Sequence, residues 1–533
     1  MKVEGGRDAV TSMPDGFVGW YRGLEKRKLL SERYAKEYPR NSLSPRTGSS
    51  DFALRVLPLA AIGALFAIAA WVRLGALQES PYPTGIDGYW YLIQVRSLIE
   101  RGHLDSSSAP LVPWLMAAAS LLLEPVLAVK TIAALGSAAM VVPSYSLARR
   151  LSGERGPALL GAALVATSAQ SFFLCTEFVK QAVGLTLAVA FAAALAARLE
   201  RPSKARIALA ALMLLACALA HKTALGLALL VAAPPAAAHI WRRRGRVVLG
   251  LAVAALAAIV VAWLMHNERS PLRGLFHGGA DFSFAVLATP GHAPLVLGHE
   301  VSLAAGLAAL VLVLAVLRRD GPRLPILAVG FIGIALFQAL PWLDIANDQG
   351  LGYRLRLCAW FCLAPCSAIA ADGLLQWVPE KMRTTLLGLA ICGVLALRPW
   401  HSDEGVIKAH PAMVEATARL AGVLPPEAVV VVPERHTAYM AAWYGRVSVR
   451  LRPPPAVDAS RMFRLLPGAA IRPGLWAALD ELRLHPAAGV VPSLDLHAMH
   501  PNGLVLLAEP TYQFLVARLP DSERQWYRAW VVQ

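Results

Sequence analysis

A chain of 533 residues that is 56% hydrophobic and 16% charged carries too little charge for an ordinary water-soluble protein, where about a quarter of residues are charged. Lys and Arg number 51 against 35 Asp and Glu, a net charge of +16, but they fall in short segments between apolar blocks, which argues against nucleic acid as the partner. The six cysteines lie in or beside apolar blocks as small core residues and imply no disulfide framework.

Residues 1–51 are charged and contain no apolar run. They are too long and polar for a signal peptide, and Lys26, Arg27 and Lys28 suit a cytoplasmic tail at an anionic membrane surface. The first apolar block is 52–72, and a polar loop at 76–110 follows. In that loop 88–101 reads as an amphipathic helix with Tyr91, Val95, Leu98 and Ile99 on one side, fit to lie in the interface plane. The apolar region 110–148 is broken only at Glu124-Pro125. It reads as an interfacial or re-entrant helix at 111–123 followed by one span. Further blocks occupy 156–174, 182–199, 207–220, 223–240, 247–265, 301–317, 324–343, 355–378 and 384–397. Crossing hydrocarbon takes roughly 20 residues of helix, and lipid leaves no other way to pair the backbone. The prediction is an α-helical polytopic membrane domain over 52–400 with about eleven spans, and room for twelve or thirteen.

Basic residues mark every second connection: Arg149, Arg150 and Arg155; Arg201, Lys204 and Arg206; Arg242, Arg243, Arg244 and Arg246; Arg318, Arg319 and Arg323; Lys381 and Arg383. By the positive-inside rule these face the cytoplasm together with the N-terminus. Residues 401–533 then lie outside. Their soluble composition, strand patterns at 427–433 and 447–451 and helix patterns at 411–421 and 475–484 predict a small extracytoplasmic α/β domain. His485, His497 and His500 read as loop histidines, without the convergent spacing of a zinc site. Cys358, Cys362 and Cys366 line one helix face with no further ligand to complete a metal set.

The opposite, outer connections collect the unusual polar residues. Asp87 is the one early carboxylate of the first loop, among Gly88, Tyr89, Trp90 and Tyr91. Asp in such a Gly-flanked turn also suits simple backbone bonding. Glu177 and Lys180 lie one helical turn apart and suit a local ion pair. His221, Lys222 and Thr223 form a very short turn between two spans. Arg354 opens a late span, after Asp344, Asn347 and Asp348, with Arg356 a little deeper. Cations in such positions bind an anionic headgroup or phosphate, or snorkel to the interface. Arg269, Arg273, His277, His292 and His299, in the long loop 267–300, read as wet surface.

In chain order these features resemble the GT-C superfamily of integral-membrane glycosyltransferases. That group includes protein O-mannosyltransferases, aminoarabinose transferases and oligosaccharyltransferase catalytic subunits. The resemblance rests on the first-loop Asp87 with its aromatics and on Arg96-Ser-Leu-Ile-Glu-Arg-Gly102. It continues through Pro110-Leu-Val-Pro-Trp-Leu115, Tyr145-Ser-Leu-Ala-Arg-Arg-Leu-Ser-Gly153, Ala166-Thr-Ser168, and Arg354 ahead of Pro365. It implies a polyprenyl-phosphate-linked sugar donor, an acceptor that is a glycan, lipid or protein, and a bacterial or archaeal cell membrane. It also implies Asp87 as general base, with Arg354 and Lys222 at the lipid phosphate, assisted by Lys180, His221 and Glu177. Tyr89, Trp90 and Tyr91 line the sugar site or anchor the loop. Two departures limit what carries over. Ala442-Trp443-Tyr444-Gly445 lacks the acid of the oligosaccharyltransferase Trp-Trp-Asp motif, and Asp87 is followed by Gly88 instead of a second acid. A divalent metal is thus allowed but not required by the sequence. The competing readings are a lipid or glycan transporter or flippase, which expects internal repeats and midplane polar groups, and a non-catalytic envelope-assembly protein.

Overall fold

The computed structural model describes residues 49–106, 109–241, 245, 299–317, 324–340, 343, 351–398, 408–425, 427–453, 459–484, 494–496 and 504–532. The chain divides into two units, Met1–Ala60 and Ala61–Gln533. Of the first, residues 49–60 are described, and they are helical. Apart from the start of the first helix, everything below concerns the second unit. The block 247–265, the loop residues Arg269, Arg273, His277, Asp281 and His292, the acid-bearing turn with Asp344, Asn347 and Asp348, and His485, His497 and His500 lie outside the described residues.

The helices in chain order are α1 (Ser49–Gln78), α2 (Gly88–Arg101), α3 (Leu111–Ala119), α4 (Pro125–Ala138), α5 (Val141–Ser152), α6 (Arg155–Ala166), α7 (Ala169–Glu177), α8 (Val179–Glu200) and α9 (Lys204–Ala220). After them come α10 (Lys222–Trp241), α11 (Glu300–Leu317), α12 (Ile326–Gln338), α13 (Leu351–Arg356), α14 (Trp360–Leu375) and α15 (Glu380–Leu397). Six segments among the described residues are long and apolar enough to cross a membrane: Val56–Gln78, Pro125–Ser152, Val179–Glu200, Lys222–Trp241, Glu300–Leu317 and Leu351–Leu375. The bent pair α6 and α7 makes a seventh if it is one span. Helices α9 and α12 are apolar but shorter, at 17 and 13 residues, and α15 begins with Glu380, Lys381 and Arg383. About eleven spans were expected from block lengths, so the described helices account for part of that number.

The region 110–148 resolves into the short α3 and the 28-residue Pro125–Ser152 helix. The block 156–174, expected as one straight span, is instead two helices bent by 43° at Thr167-Ser168. Its composition is apolar throughout, but Thr167 turns its hydroxyl back onto the Ala163 carbonyl at 3.0 Å, and Ser168 starts a new helix by accepting the Ser171 amide at 3.0 Å. Side-chain hydroxyls that compete for backbone groups end helices in a way hydropathy cannot register.

Helix α8 lies at the centre, packed on α9, α5 and α4. Its 22 residues are about 33 Å long at 1.5 Å per residue, close to the hydrocarbon thickness. At its C-terminal end Glu200 pairs with Arg150, and Arg206 donates to the carbonyls of Ala197 and Arg201 at 2.8 and 2.9 Å. This is the end with the basic connections. Its first turn, at the other end, carries Lys180. The outer surface of the bundle exposes large apolar side chains such as Leu122, Leu212, Val316 and Leu389, as lipid contact requires.

The C-terminal region holds α16 (Pro411–Val423), β1 (Val429–Val431), α17 (Arg435–Tyr444), β2 (Ser448–Arg450), β3 (Met462–Pro467), α18 (Pro473–Leu484), β4 (Leu494–Leu496), β5 (Leu504–Ala508), α19 (Glu509–Arg518) and α20 (Asp521–Val532). The strands form one sheet in the order β2-β1-β3-β5-β4, parallel across β2, β1 and β3 and antiparallel beyond. Val430, Leu465, Leu504 and Leu506 of that sheet, with Val432 just past β1, pack beneath α16 and α17. Helix α2 docks on α17. Arg96 donates to the carbonyls of Ala442 and Trp443, both at 3.1 Å, and so caps the negative end of α17, with its guanidinium over the Trp443 ring at 4.9 Å.

Candidate functional site

The site is built where the first loop meets α7 and α8. Gly85 takes a left-handed φ of 80°, and a Cβ there would stand 2.2 Å from the Thr176 carbonyl oxygen, so glycine alone lets the loop press onto the end of α7. Glu177 is buried and accepts the Ile86 amide at 2.9 Å. This clamp fixes the next residue, Asp87. Asp87 is the N-cap of α2, yet among the described residues its side chain makes no capping hydrogen bond. The carboxylate is therefore not spent on the helix end, as a turn residue's would be.

Burial pushes the half-buried Asp87 carboxyl above the usual carboxylate range, while the charges of Lys180, Arg354 and Arg435 pull it back. Lys180 sits with its Nζ 4.0 Å from the centre of the Trp90 ring, and its amide donates to the Tyr91 hydroxyl at 3.1 Å. Arg354 lies over the Phe178 ring at 4.9 Å, and its carbonyl accepts from Gln181 Nε2 at 3.0 Å. Phe178, Lys180 and Gln181 thus use one turn of chain to hold Trp90, Tyr91 and Arg354 around Asp87. One turn further along α8, Gly184 would place a Cβ 2.9 Å from His221, which brings the α9–α10 turn against the same end. His221 accepts the Thr223 amide on Nδ1 at 3.3 Å, leaving the ring proton on Nε2. Burial first, then the charges of Arg354, Lys180 and Lys222, hold this imidazole down to about 3, so it is neutral.

The structure thus gathers Asp87, Glu177, Lys180, His221, Lys222 and Arg354 at one end of α8, with Glu177 fastening backbone. The aromatics divide differently. Tyr89, which the sequence left as a sugar-site or loop-anchoring residue, is fully buried against His436 and Tyr444, with ring centroids 5.5 Å away in each case. It braces the loop on α17. Tyr91 is likewise buried and serves the Lys180 amide. Trp90 remains half-buried beside Lys180. Sequence reasoning missed Arg435 and Tyr439 of α17, both of which feel the Asp87 charge. Nothing local flags them, because they lie about 350 residues from Asp87. Among the described residues no group of three His, Cys, Asp or Glu could hold a metal, and Cys358, Cys362 and Cys366 are buried core.

Helix α7 acts as a strut behind the clamp. At its start Glu300 accepts from Ser168 Oγ at 2.7 Å and from the Ala169 amide at 2.8 Å, and it pairs with Arg398. Gln170 donates to the Arg356 carbonyl at 2.8 Å and accepts the Trp360 amide at 3.1 Å, tying α7 to the break between α13 and α14. Gly85→Ala is expected to lower the thermal midpoint well beyond Gly102→Ala. Gly102 has nearly the same φ of 74° but open space around it, so its variant pays only the left-handed cost of about 1–2 kcal/mol. Equal midpoints would remove the close approach to Thr176 from this account.

No protein-family model and no curated protein matches the chain. Solved structures do superpose. ArnT from Cupriavidus metallidurans in the apo state gives a TM-score of 0.48 at 14% identity, over 87% of this chain and 99% of that one. The same protein bound to undecaprenyl phosphate gives 0.49 at 12%, over 87% and 98%. The oligosaccharyltransferase of Archaeoglobus fulgidus in the apo form gives 0.45 at 13%, over 73% and 64%. Both proteins are GT-C glycosyltransferases, the class the first-loop motifs resemble. With identities of 12–14% and TM-scores under 0.5, these superpositions assign no chemistry to this chain.

Proposed function

We propose that this chain is a membrane glycosyltransferase that moves a sugar from a polyprenyl-phosphate-linked donor to an acceptor hydroxyl on the extracytoplasmic face. The observation that carries the reading is the carboxylate of Asp87, uncommitted to its helix where Glu177 is tied to backbone, and opposed by Lys180, Arg354 and Arg435. These groups sit at the end of α8 away from the basic connections, the end that the positive-inside rule puts outside. The loop residues 79–110 and the C-terminal domain are outside with them.

In this reading Asp87 takes the proton from the acceptor hydroxyl as its oxygen bonds to the anomeric carbon. The bond from that carbon to the phosphate oxygen breaks, and its electron pair leaves with the lipid phosphate. Arg354, Lys222 and Lys180 receive the growing negative charge, and neutral His221 donates through Nε2. Because these cations are already held by Phe178, Trp90 and the short α9–α10 turn, little reorganisation accompanies the reaction.

The binding half of the reading is tested by native mass spectrometry of the purified full chain with undecaprenyl phosphate as probe. An adduct is expected, and Arg354→Ala should weaken it by about tenfold or more, since a hydrogen bond to a charged group is worth roughly 1.5–3 kcal/mol. No adduct, or one that survives Arg354→Ala combined with Lys222→Ala, would overturn the reading.

A further inference from the structure

Beside the Asp87 site lies a cleft of about 700 Å³ between α2 on one side and α17 with β2 on the other. Trp90 and Tyr439 belong to both places: Trp90 carries Lys180, and Tyr439 feels the Asp87 charge. Asp87 is not itself in the wall, but the cleft shares these two residues with its surroundings. A volume of this size suits a sugar-sized ligand.

Its walls are rich in arginine, with Arg96, Arg101, Arg446 and Arg450 against Glu100 and Asp105. These arginines are not equivalent. Arg96 is committed to the end of α17, and Arg101 is paired with Asp105 at 2.7 Å. Arg446 and Arg450 are exposed, and among the described residues no hydrogen bond or ion pair engages either guanidinium. The backbone supplies a second observation. Arg446 holds a φ of 50°, the sole positive-φ residue other than glycine among the described residues. Its neighbour Gly445 has an ordinary φ of −76°, and it is glycine for want of room: a Cβ there would approach the Ala441 carbonyl to 2.7 Å. The chain spends its glycine on that contact and accepts arginine in the left-handed position, where glycine would cost nothing. A strained residue retained at a cleft wall points to use. Burial holds the Arg96 guanidinium below its ordinary value. Glu100 and Asp105 counter this, while the charges of Arg446 and Arg101 add to it.

We propose that this cleft is the acceptor subsite, and that Arg446 and Arg450 recognise a phosphate or carboxylate carried by an acceptor glycan. The assignment of the acceptor rests on the reading of Asp87 as the base. Arginine's planar fork is suited to such groups, which it holds by two parallel hydrogen bonds.

The test uses the full chain in nanodiscs of neutral lipid, with trehalose 6-phosphate as probe and neutral trehalose as its control, followed by saturation-transfer NMR. The phosphorylated sugar is expected to bind at least tenfold more tightly. Arg446→Gly and Arg450→Gln should each weaken it about tenfold. Arg446→Gly should keep or raise the thermal midpoint, since glycine takes that φ freely, so misfolding would not explain the loss. Asp87→Asn should bind the probe like the parent. Equal binding of the two sugars, no binding of either, or unchanged binding in both arginine variants overturns the proposal. So does displacement of the probe when anionic phosphatidylglycerol replaces neutral lipid, which would make the cleft a headgroup site. If Asp87→Asn keeps full transfer activity while the arginine variants lose the probe, the base assignment fails and the anion site stands.

Discussion

Asp87→Asn is expected to lower sugar transfer by about a thousandfold while the chain still folds and still binds polyprenyl phosphate. General-base catalysis is worth roughly 10²–10⁴ in rate, and the amide has no basic lone pair to replace the carboxylate. Stability should not suffer, and the sign follows from the titration. Burial raises the Asp87 pKa in the folded chain, so its stabilising contribution is complete only below the unfolded value and is lost as pH rises through the folded one. Once ionised, the carboxylate is therefore a net cost to the fold, and the amide removes it. The thermal midpoint of Asp87→Asn at neutral pH should equal or exceed that of the parent. For the same reason the acid limb of the parent's rate profile should lie above the ordinary carboxylate range. Full activity in Asp87→Asn would remove Asp87 from the chemistry. A collapsed midpoint would mark it as structural.

Arg398→Met should destabilise the bundle by about 3–5 kcal/mol, the usual cost of leaving one member of a buried ion pair behind. Glu300 is 3% exposed at its side chain and already accepts from Ser168 and the Ala169 amide, so it has nowhere else to discharge its charge. Arg398 also donates to the Leu164 carbonyl at 3.1 Å, which the methionine would abandon. Adding Glu300→Gln to Arg398→Met should recover most of the loss, because the uncompensated charge is then gone. Thermal unfolding in detergent reads both. A double variant no better than the single one would place the cost in packing instead of charge.

Much of the arrangement was legible in the sequence because its signals are local. Helix α2 occupies the 88–101 predicted from its apolar stripe, ended by Gly102 with a φ of 74°. The strands near 429 and 448 and the helices near 411 and 475 sit where their patterns put them. Alternating basic connections placed Asp87, Lys180, His221, Lys222 and Arg354 on one face, and the structure brings them to one end of α8. What stayed hidden depends on partners far along the chain. The bend at Thr167-Ser168 is made by hydroxyls and by Glu300, about 130 residues away, in a stretch that hydropathy reads as continuous. Tyr89 looks like a ligand-facing aromatic until α17 covers it. Arg435 and Tyr439 join Asp87 only through the docking of α2 on α17.

That docking sets the terms for any transplant between related proteins. Tyr89 is held by His436 and Tyr444, Arg96 by the end of α17, and Thr84 by a bridge to Lys408. A graft of 408–532 alone would arrive without its matching seat, and a graft of 79–106 alone without its roof. The two segments, far apart in the gene, form a single exchangeable cassette, and a chimera should preserve activity only when both come from the same parent.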